Sequence, residues 1–330
     1  MRSLSEAKEV LTRLYGFEFP DSLFLLHEFL ASLSAEEWEH YSLALGMEPI
    51  GPLQVLSIPE AKLQRLKPTV PLVLHWRFYG DLPEFFSCLK GDQDWLHWGL
   101  LLDEPAKGFR GAASYYANDL ETMRVYPSLF AVVLKRIEER TTSWEPVDTG
   151  EKADHNEQQN HLRRFAEKIR HFIEDCQIPL DDGRGTGQTS DTGLDLLVDA
   201  KGQDWVSSIL GDWSVFPPSG HPHIIHLGKM KEEKEIKRLV AKAIAASEQG
   251  RPLPALSLGR SLWYWKDRRG LANSGNDYAA VAFDLLKRAY TLLDRRALLR
   301  VLDMHFEHRD RDSVDVLRSY RIQGVTEQER

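Results

Sequence analysis

The sequence predicts an α+β fold: an N-terminal, mainly antiparallel sheet flanked by helices, joined to a mainly helical C-terminal domain. Two observations support this prediction. Between residues 53 and 116, short apolar segments are separated by turns containing Pro and Gly, and most are not linked by a helix-length pattern, which favours antiparallel strands. From residue 161 onward, most apolar positions recur at helical spacing.

The composition is that of a protein with a sizeable core, since 42% of its 330 residues are hydrophobic and 28% are charged. A net charge of −8 argues against general binding to nucleic acids or anionic membranes. No apolar run approaches the roughly 18 residues that cross a bilayer. With only Cys88 and Cys176, a disulfide framework is not expected. We therefore expect a cytoplasmic protein, or a nuclear one if the source is eukaryotic.

Apolar residues at helical spacing predict two N-terminal helices. The first ends at Gly16, and the second begins at Asp21, whose side chain can cap it. The two apolar stripes are Leu4, Ala7, Leu11 and Leu14, followed by Leu23, Leu26, Leu30 and Leu33. We expect both stripes to face the core.

Four strands are predicted after these helices, at about residues 53–57, 72–79, 95–102 and 110–116. In the second of these, alternation places His75, Arg77 and Tyr79 on the face opposite the apolar side chains. The Gly-Asp-Leu-Pro turn that follows ends the strand, and a hairpin or neighbouring pair with the third strand is the simplest arrangement. We expect the three polar side chains to hold the sheet face and this turn through hydrogen bonds.

A helix over residues 127–140 completes a predicted N-terminal α+β domain of residues 1–140. The polar segment 141–160 is predicted to be a linker or exposed loop, and residues 161–330 form the C-terminal domain. The first helix of that domain has Cys176 on its apolar stripe, so we interpret Cys176 as a core thiol rather than a nucleophile. Further helices are predicted over residues 230–248 and as a pair divided near Asp294.

The sequence contains no self-sufficient catalytic signature, since GxSxG, HExxH, the kinase set and the Walker loop are absent. The Gly-rich residues 181–193 lack phosphate-loop spacing, and we interpret them as a surface loop. His221 and His223 form a His-x-His pair with His226 close by, but no Cys and no obvious carboxylate ligand accompany them. His305 and His308 are three residues apart in a charged segment without a metalloprotease pattern. Structural or exposed histidines are the simpler interpretation, and no metal or cofactor is predicted.

A basic cluster, Lys266, Arg268 and Arg269, follows the aromatic residues Trp263 and Trp265. Two interpretations stay open. The cluster is either a solvated loop or the rim of an anion-binding surface beside the tryptophans.

Several segments resemble the histone PARylation factor family, whose members are accessory proteins that complete the active site of poly(ADP-ribose) polymerases. These segments are LGMEPIGPLQVL, LHWRFYGDLPEF, LHWGLLLDEP, LSLGRSLWYW and RAYTLLDRRALLRVLDMHFEHRDRDSVDVL. The resemblance covers most of residues 15–139 and, more loosely, residues 224–317, with no match over about 141–220. It implies an α+β N-terminal domain joined to a helical C-terminal one.

The resemblance also implies a catalytic position. Family members contribute an Asp-Glu pair upstream of the LxLG segment, and its glutamate acts as general base on a serine acceptor. Here Glu248 would occupy the aspartate position and Gln249 the glutamate position, although an amide cannot accept a proton as a carboxylate does. Alternatively, the alignment slips by one residue and Glu248 is the functional carboxylate, or the role is lost. The family's arginine falls near His226, where there is no arginine.

The first functional hypothesis is an accessory or regulatory protein of ADP-ribosylation. It would dock on an ADP-ribosyltransferase or its protein target through a surface around Glu248, His226, Arg260 and the basic cluster. The alternative is a toxin-immunity or other protein-binding module without catalysis, whose acidic balance would steer it to a basic toxin domain. A stand-alone enzyme comes third.

Overall fold

The computed structural model describes residues 3–66, 69–92, 95–102, 108–109, 111–117, 124–142, 152–180, 233–265, 278–309 and 314–318. Within these ranges, an antiparallel sheet with helices is joined to a helical C-terminal part, as the sequence predicts. None of the helices in these ranges has the length and apolar character needed to cross a membrane.

Three helices open the described chain: α1 (Leu4–Tyr15), α2 (Asp21–Ser32) and α3 (Ala35–Leu45). The first begins with a capping box between Ser3 and Glu6 and ends at Gly16, whose left-handed backbone closes the helix as predicted. The prediction that Asp21 caps α2 is wrong. Pro20 holds the cap position without a side-chain bond, and the Asp21 carboxylate lies 2.6 Å from Lys8 Nζ.

Within the described ranges, the sheet has five strands in the order β1-β2-β3-β4-β5, and every neighbouring pair is antiparallel. The strands are β1 (Met47–Pro49), β2 (Phe85–Gly91), β3 (Leu96–Leu101), β4 (Gly111–Tyr116) and β5 (Arg124–Tyr126). The predicted strands at 95–102 and 110–116 are therefore confirmed. The predicted pairing of residues 72–79 with β3 is wrong. The strand that precedes β3 in the chain and pairs with it is β2.

The predicted strand at 53–57 is instead the short helix α4 (Gly51–Leu56), which is followed by α5 (Glu60–Leu63). Gly51 adopts a left-handed backbone, and Pro52 lies in the first helical turn, where its missing N–H costs no hydrogen bond. A Cβ at Gly51 would lie 2.1 Å from the Ser87 carbonyl oxygen, so the start of α4 lies directly against β2.

The predicted strand at 72–79 is also wrong. Residues Leu72–Leu74 form a 3₁₀ turn, and Trp76 then adopts a positive φ of 58°, which lies outside the extended backbone of a regular strand. The alternation of apolar and polar side chains over residues 72–79 is misleading because residues of both kinds are buried. The buried residues are Leu72, Val73, Leu74, His75, Arg77 and Phe78. The segment is thus a compact buried turn, and its polar groups must find partners inside the protein.

Two helices follow the sheet, α6 (Leu129–Thr142) and α7 (Lys152–Asp175). The start of α7 lies within the segment predicted as a linker, so residues 152–160 are helical rather than looped. The division into two domains stays a prediction. Cys176 is exposed, contrary to its interpretation as a core thiol. The helix ends at Asp175 and Gln177 has a positive φ of 51°, so the helical spacing that predicted burial no longer holds at Cys176.

The described C-terminal part contains the helices α8 (Glu233–Glu248), α9 (Leu253–Trp265), α10 (Ala279–Leu292) and α11 (Arg296–Glu307). The predicted pair divided near Asp294 is confirmed as α10 and α11. Residues 254–263 of α9 are all buried, so this helix is surrounded rather than amphipathic. Close packing of α9 on α10 depends on Gly259, where a Cβ would lie 2.9 Å from Leu286.

Candidate functional site

The turn between the 3₁₀ segment and β2 is organised by one buried carboxylate, Asp81. It accepts hydrogen bonds from the Phe78 backbone N–H and the Ser87 hydroxyl, each at 2.9 Å, and from the Tyr115 hydroxyl. Its other close partner is His97 Nε2, at 3.0 Å. The opposite ring nitrogen of His97 lies 2.8 Å from the Trp95 carbonyl oxygen, which can only accept, so that nitrogen carries a proton. Asp81 is thus held by four groups, and its role in the described structure is to fix the turn.

The neighbouring Arg77 closes the same turn. Its guanidinium donates to the carbonyl oxygens of Leu82 at 2.8 Å and Pro83 at 3.4 Å, and lies over the Phe86 ring. Burial lowers the pKa of Arg77, and the nearby Asp81 charge partly offsets this. The prediction that Arg77 holds the Asp-Leu-Pro turn is therefore confirmed, although it does so from a buried turn rather than from a strand. His75 bonds Gln54 instead, with Nε2 2.8 Å from the amide oxygen.

The C-terminal part is joined to this turn by α9. Arg260 donates from Nε and Nη2 to one carboxylate oxygen of Glu84, at 2.9 and 2.6 Å, and both side chains are 1% exposed. Trp263 Nε1 donates to the Asp81 carbonyl oxygen at 3.0 Å. We call Asp81, Glu84, Arg260 and Trp263 the seam. In the seam, buried side chains of α9 form hydrogen bonds with the turn before β2, although the two segments are far apart in the chain.

The electrostatics of the seam favour a charged pair. Burial raises the pKa of Glu84, but the charges of Arg260 and Arg295 and the nearby Tyr290 hydroxyl outweigh burial, so this pKa lies below its ordinary value. The prediction that Arg260 contributes to a partner- or ADP-ribose-binding surface is therefore wrong. The helix that carries Arg260 is buried on every side, and its guanidinium is bound to Glu84.

Beside the seam, Arg309 lies between two aromatic rings. Its guanidinium carbon is 3.7 Å from the centroid of Trp263 and 4.5 Å from that of Tyr79. The buried His305 ring packs edge-on against Trp263, with centroids 5.2 Å apart. Burial, with the positive charges of Arg77 and Arg309, lowers the pKa of His305 well below its ordinary value. His305 is thus a neutral core residue, as its interpretation as a structural histidine expects.

Glu248 is the last residue of α8 and is exposed. The chain turns immediately afterwards, where Gly250 has a φ of 75° and the Arg251 N–H donates to the Ala246 carbonyl oxygen at 2.9 Å. The Gln249 side-chain oxygen accepts a hydrogen bond from Arg251. We call residues 247–251 the α8 end. Its carboxylate projects into solvent and not into a cleft beside Arg260, which is buried in the seam.

Arg288 on α10 lies within electrostatic reach of the α8 end. The pKa of Arg288 is raised chiefly by a hydrogen bond from its Nε to Asp284 at 2.8 Å, and the Glu248 charge contributes a smaller increase. The surface here therefore combines an acidic group able to accept a proton with a cation able to bind an anion. The described residues at this place form no enclosed site on their own, so any chemistry requires a partner surface.

The comparison with known proteins decides the family. A family model described as histone PARylation factor 1 matches residues 6–185, more than half of the chain. The chain belongs to the histone PARylation factor 1 family. The matched region contains the sheet and the buried turn with Asp81 and Glu84, and it ends before α8.

Individual relatives match shorter stretches. Histone PARylation factor 1 of Danio rerio is 32% identical over 93 residues, which is 28% of this chain and 26% of the relative. The Bos taurus protein of the same name is 30% identical over 93 residues, covering 28% of this chain and 27% of the relative. The Mus musculus protein is 28% identical over 103 residues, covering 31% and 30%. The aligned part thus spans less than a third of these relatives. The comparisons give no support to the toxin-immunity alternative.

Some residues predicted to have a function lie outside the described ranges. These are His226, Lys266, Arg268 and Arg269. The residues 181–193, interpreted as a surface loop, and His221 and His223, interpreted as structural or exposed, also lie outside the described ranges. No group of three or more side chains that could hold a metal ion occurs within the described ranges. Cys88 is buried, and burial raises the pKa of its thiol, so it is not a reactive thiolate.

Sequence reasoning missed the seam. The sequence analysis places Asp81 only in a turn and Trp263 only beside a basic cluster, and it gives no role to Glu84. One signal could have found them, since two carboxylates occur in DLPEFF, directly before an apolar strand. Charged residues beside a buried strand require buried partners, and the Arg in the otherwise apolar LSLGRSLWYW offers one.

Proposed function

We propose that this protein is an accessory factor of ADP-ribosylation that acts together with an ADP-ribosyltransferase rather than alone. The observation that carries the proposal is the family match over residues 6–185. It is supported by the α8 end, where the described residues leave the Glu248 carboxylate exposed and do not enclose it as a self-sufficient active site requires. We propose that the protein lies in the same compartment as this transferase, which is the cytoplasm, or the nucleus if the source is eukaryotic.

In this proposal, Glu248 is the catalytic group. Docking of the transferase over the α8 end excludes water, and a carboxylate removed from water is a stronger proton acceptor for a serine hydroxyl of the target protein. Gln249 cannot take this role because its amide oxygen is not basic and already accepts a hydrogen bond from Arg251. The helix end also leaves Glu248 free to approach a second protein without rearrangement of the core.

The surrounding cations would bind the partner or ADP-ribose. Arg288 is near the carboxylate, and its side chain is 40% exposed. Lys266, Arg268 and Arg269 follow α9 in the chain, and guanidinium groups suit the diphosphate of ADP-ribose because they can bind two oxygens at once. His226 takes the place of a family arginine and would contact the partner more weakly.

The test uses the purified protein with the poly(ADP-ribose) polymerase of the same organism, labelled NAD and a serine-containing acceptor protein. We expect the protein to increase labelling of serine, and Glu248→Gln to reduce that increase by about 10²-fold or more, as loss of a general base does. Glu174→Gln is the matched control, because Glu174 is an exposed carboxylate on α7. The protein incubated with NAD alone should give no product.

A second variant separates the two alignments of the acidic pair. If the catalytic position is Glu248, Gln249→Glu changes labelling by less than about threefold. If the catalytic position is instead that of Gln249, the Gln249→Glu variant should give more serine labelling than the natural protein does. Unchanged labelling with the Glu248→Gln variant, in a mixture where the natural protein binds the polymerase and stimulates it, would refute the general-base role.

A further inference from the structure

A groove in the N-terminal part lies apart from the seam and the α8 end. It is bounded by α1, α2 and the segment that joins α4 to α5, and it has a volume of about 960 Å³. Its lining residues on α1 run from Leu4 to Arg13, a rise of about 13 to 14 Å at about 1.5 Å per residue. The groove is therefore long enough for between two and three turns of a helix.

The floor of the groove is apolar. Val10 from α1, Phe24 from α2 and Leu56 from α4 contribute buried side chains, and Ile58 is partly buried beside them. Leu4 lines one end with 46% of its surface exposed, one of few large apolar side chains so exposed in the described ranges. Apolar side chains of a partner would gain about 25 cal/mol for each Å² that they remove from water here.

Acidic groups surround this floor. The carboxylates that line the groove are Glu6, Glu9, Glu28 and Glu60. The arginine among the described lining residues, Arg13, is already paired, with Nη2 2.9 Å from Glu60 Oε1. Glu9 and Glu28 lie on different helices and are exposed, and neither forms an ion pair with another residue of the described ranges. The groove is therefore unsuited to nucleic acids or anionic lipids and complementary to cations.

We propose that this groove binds an amphipathic helical segment of a partner protein, with apolar side chains on the floor and Lys or Arg residues beside Glu9 and Glu28. A helix fits better than a strand because the walls are helices, whose backbone groups are already bonded, so an added strand would gain no main-chain hydrogen bonds. The charges would set orientation and exclude acidic segments. The proposal stands independently of the function proposed above.

The test measures binding of a fluorescent synthetic helical peptide of about 12 residues, long enough for about three turns. The peptide carries Leu at positions i, i+3, i+4, i+7 and i+11 and Lys elsewhere. One control peptide has Glu in place of Lys, and another has the same composition with the Leu positions shuffled. We expect the full-length protein to bind the amphipathic Lys peptide at least about tenfold more tightly than either control peptide.

Variants then locate the site. The double charge reversal Glu9→Lys with Glu28→Lys should weaken binding by at least about tenfold, whereas Glu39→Lys with Glu174→Lys, at exposed positions on α3 and α7, should leave it unchanged within about twofold. Leu4→Gln should weaken binding, and Leu43→Gln, at a residue that is 69% exposed on α3, should not. Absence of binding, equal binding of the shuffled peptide, or equal loss in the two charge-reversal variants would overturn the proposal.

Discussion

The seam and the α8 end both contain carboxylates beside cations, but they differ in burial and in the number of bonds. Glu84 and Arg260 are each 1% exposed and share two hydrogen bonds. Glu248 is exposed, and the cation near it, Arg288, is bound mainly to Asp284. The buried carboxylate of Glu84 is held by Arg260 and cannot reach a second protein, whereas the exposed carboxylate of Glu248 is available to a partner. The difference shows that residue type alone does not distinguish the two uses, since burial decides.

The largest expected effect comes from removing one half of the seam's ion pair. Arg260→Met leaves Glu84 charged in the interior, and we expect a loss of about 3–5 kcal/mol in the free energy of unfolding. Glu84→Met should cost a similar amount. The double variant should recover much of the loss because no unpaired charge is left. Urea unfolding of the four proteins measures this cycle, and additive losses would show that the two side chains do not act as a pair.

The next effect concerns two glycines with positive φ, one where α4 contacts β2 and the other at the α8 end. Gly51→Ala should destabilise the protein by about 3 kcal/mol, because backbone strain is added to a clash in which the new Cβ lies 2.1 Å from the Ser87 carbonyl oxygen. Gly250→Ala at the α8 end meets no atom within 4 Å, so only strain of about 1 kcal/mol is expected. Thermal unfolding compares the two variants. Equal losses would mean that the contact of α4 with β2 relaxes freely.

Much of the fold can be predicted from the sequence because most elements carry one clear pattern. The helices α10 and α11 each bury one apolar face, and the left-handed backbone of Gly16 ends α1 as expected. The expectation that the whole α1 stripe faces the core is wrong at Leu4, which is 46% exposed. Residues 72–79 were predicted wrongly because they are buried on both sides, so alternation no longer reports a face. Likewise, Arg260 was assigned to the surface because its partner Glu84 lies 176 positions away, and no local pattern reports such a contact.

The candidate site was predictable only in part. Glu248 was found through its position in a resemblance, and the structure adds that it is exposed at a helix end. The role of Glu248 still depends on a partner surface, which is not encoded in the local sequence. By contrast, the role of Arg77 at the turn followed from the residues themselves, since a polar side chain beside a Pro-containing turn has unbonded carbonyl groups within reach.

An intermediate effect is expected from pH near the seam. The pKa of His305 is lowered in the folded state by burial and by Arg77 and Arg309, so the folded protein keeps this ring neutral. The unfolded chain binds a proton below about pH 6.5. Stability is therefore complete above that pH and falls as the pH decreases, by about 1.4 kcal/mol between pH 7.5 and 5.5 from this residue alone.

Urea unfolding at both pH values measures that loss, and His305→Gln is the reference because glutamine does not titrate. The natural protein should lose about 1.4 kcal/mol more than the variant on acidification. All groups other than residue 305 are common to the two proteins, so their contributions cancel in the difference. An equal loss in the two proteins would mean that His305 accepts a proton in the folded state, in conflict with its burial.

The smallest effect is expected at the α8 end, where the same chemical change can be compared with the seam. Glu84→Gln replaces a buried carboxylate bound by Arg260 and leaves that cation uncompensated, at a cost of about 3 kcal/mol. Glu248→Gln changes an exposed group by less than about 0.5 kcal/mol. The change can even be slightly stabilising, because a negative charge at the C-terminus of α8 opposes the helix dipole. Chemical unfolding of both variants gives the values. A loss above about 1 kcal/mol for Glu248→Gln would identify Glu248 as a structural residue, and any loss of ADP-ribosylation in that variant could then no longer be assigned to proton transfer.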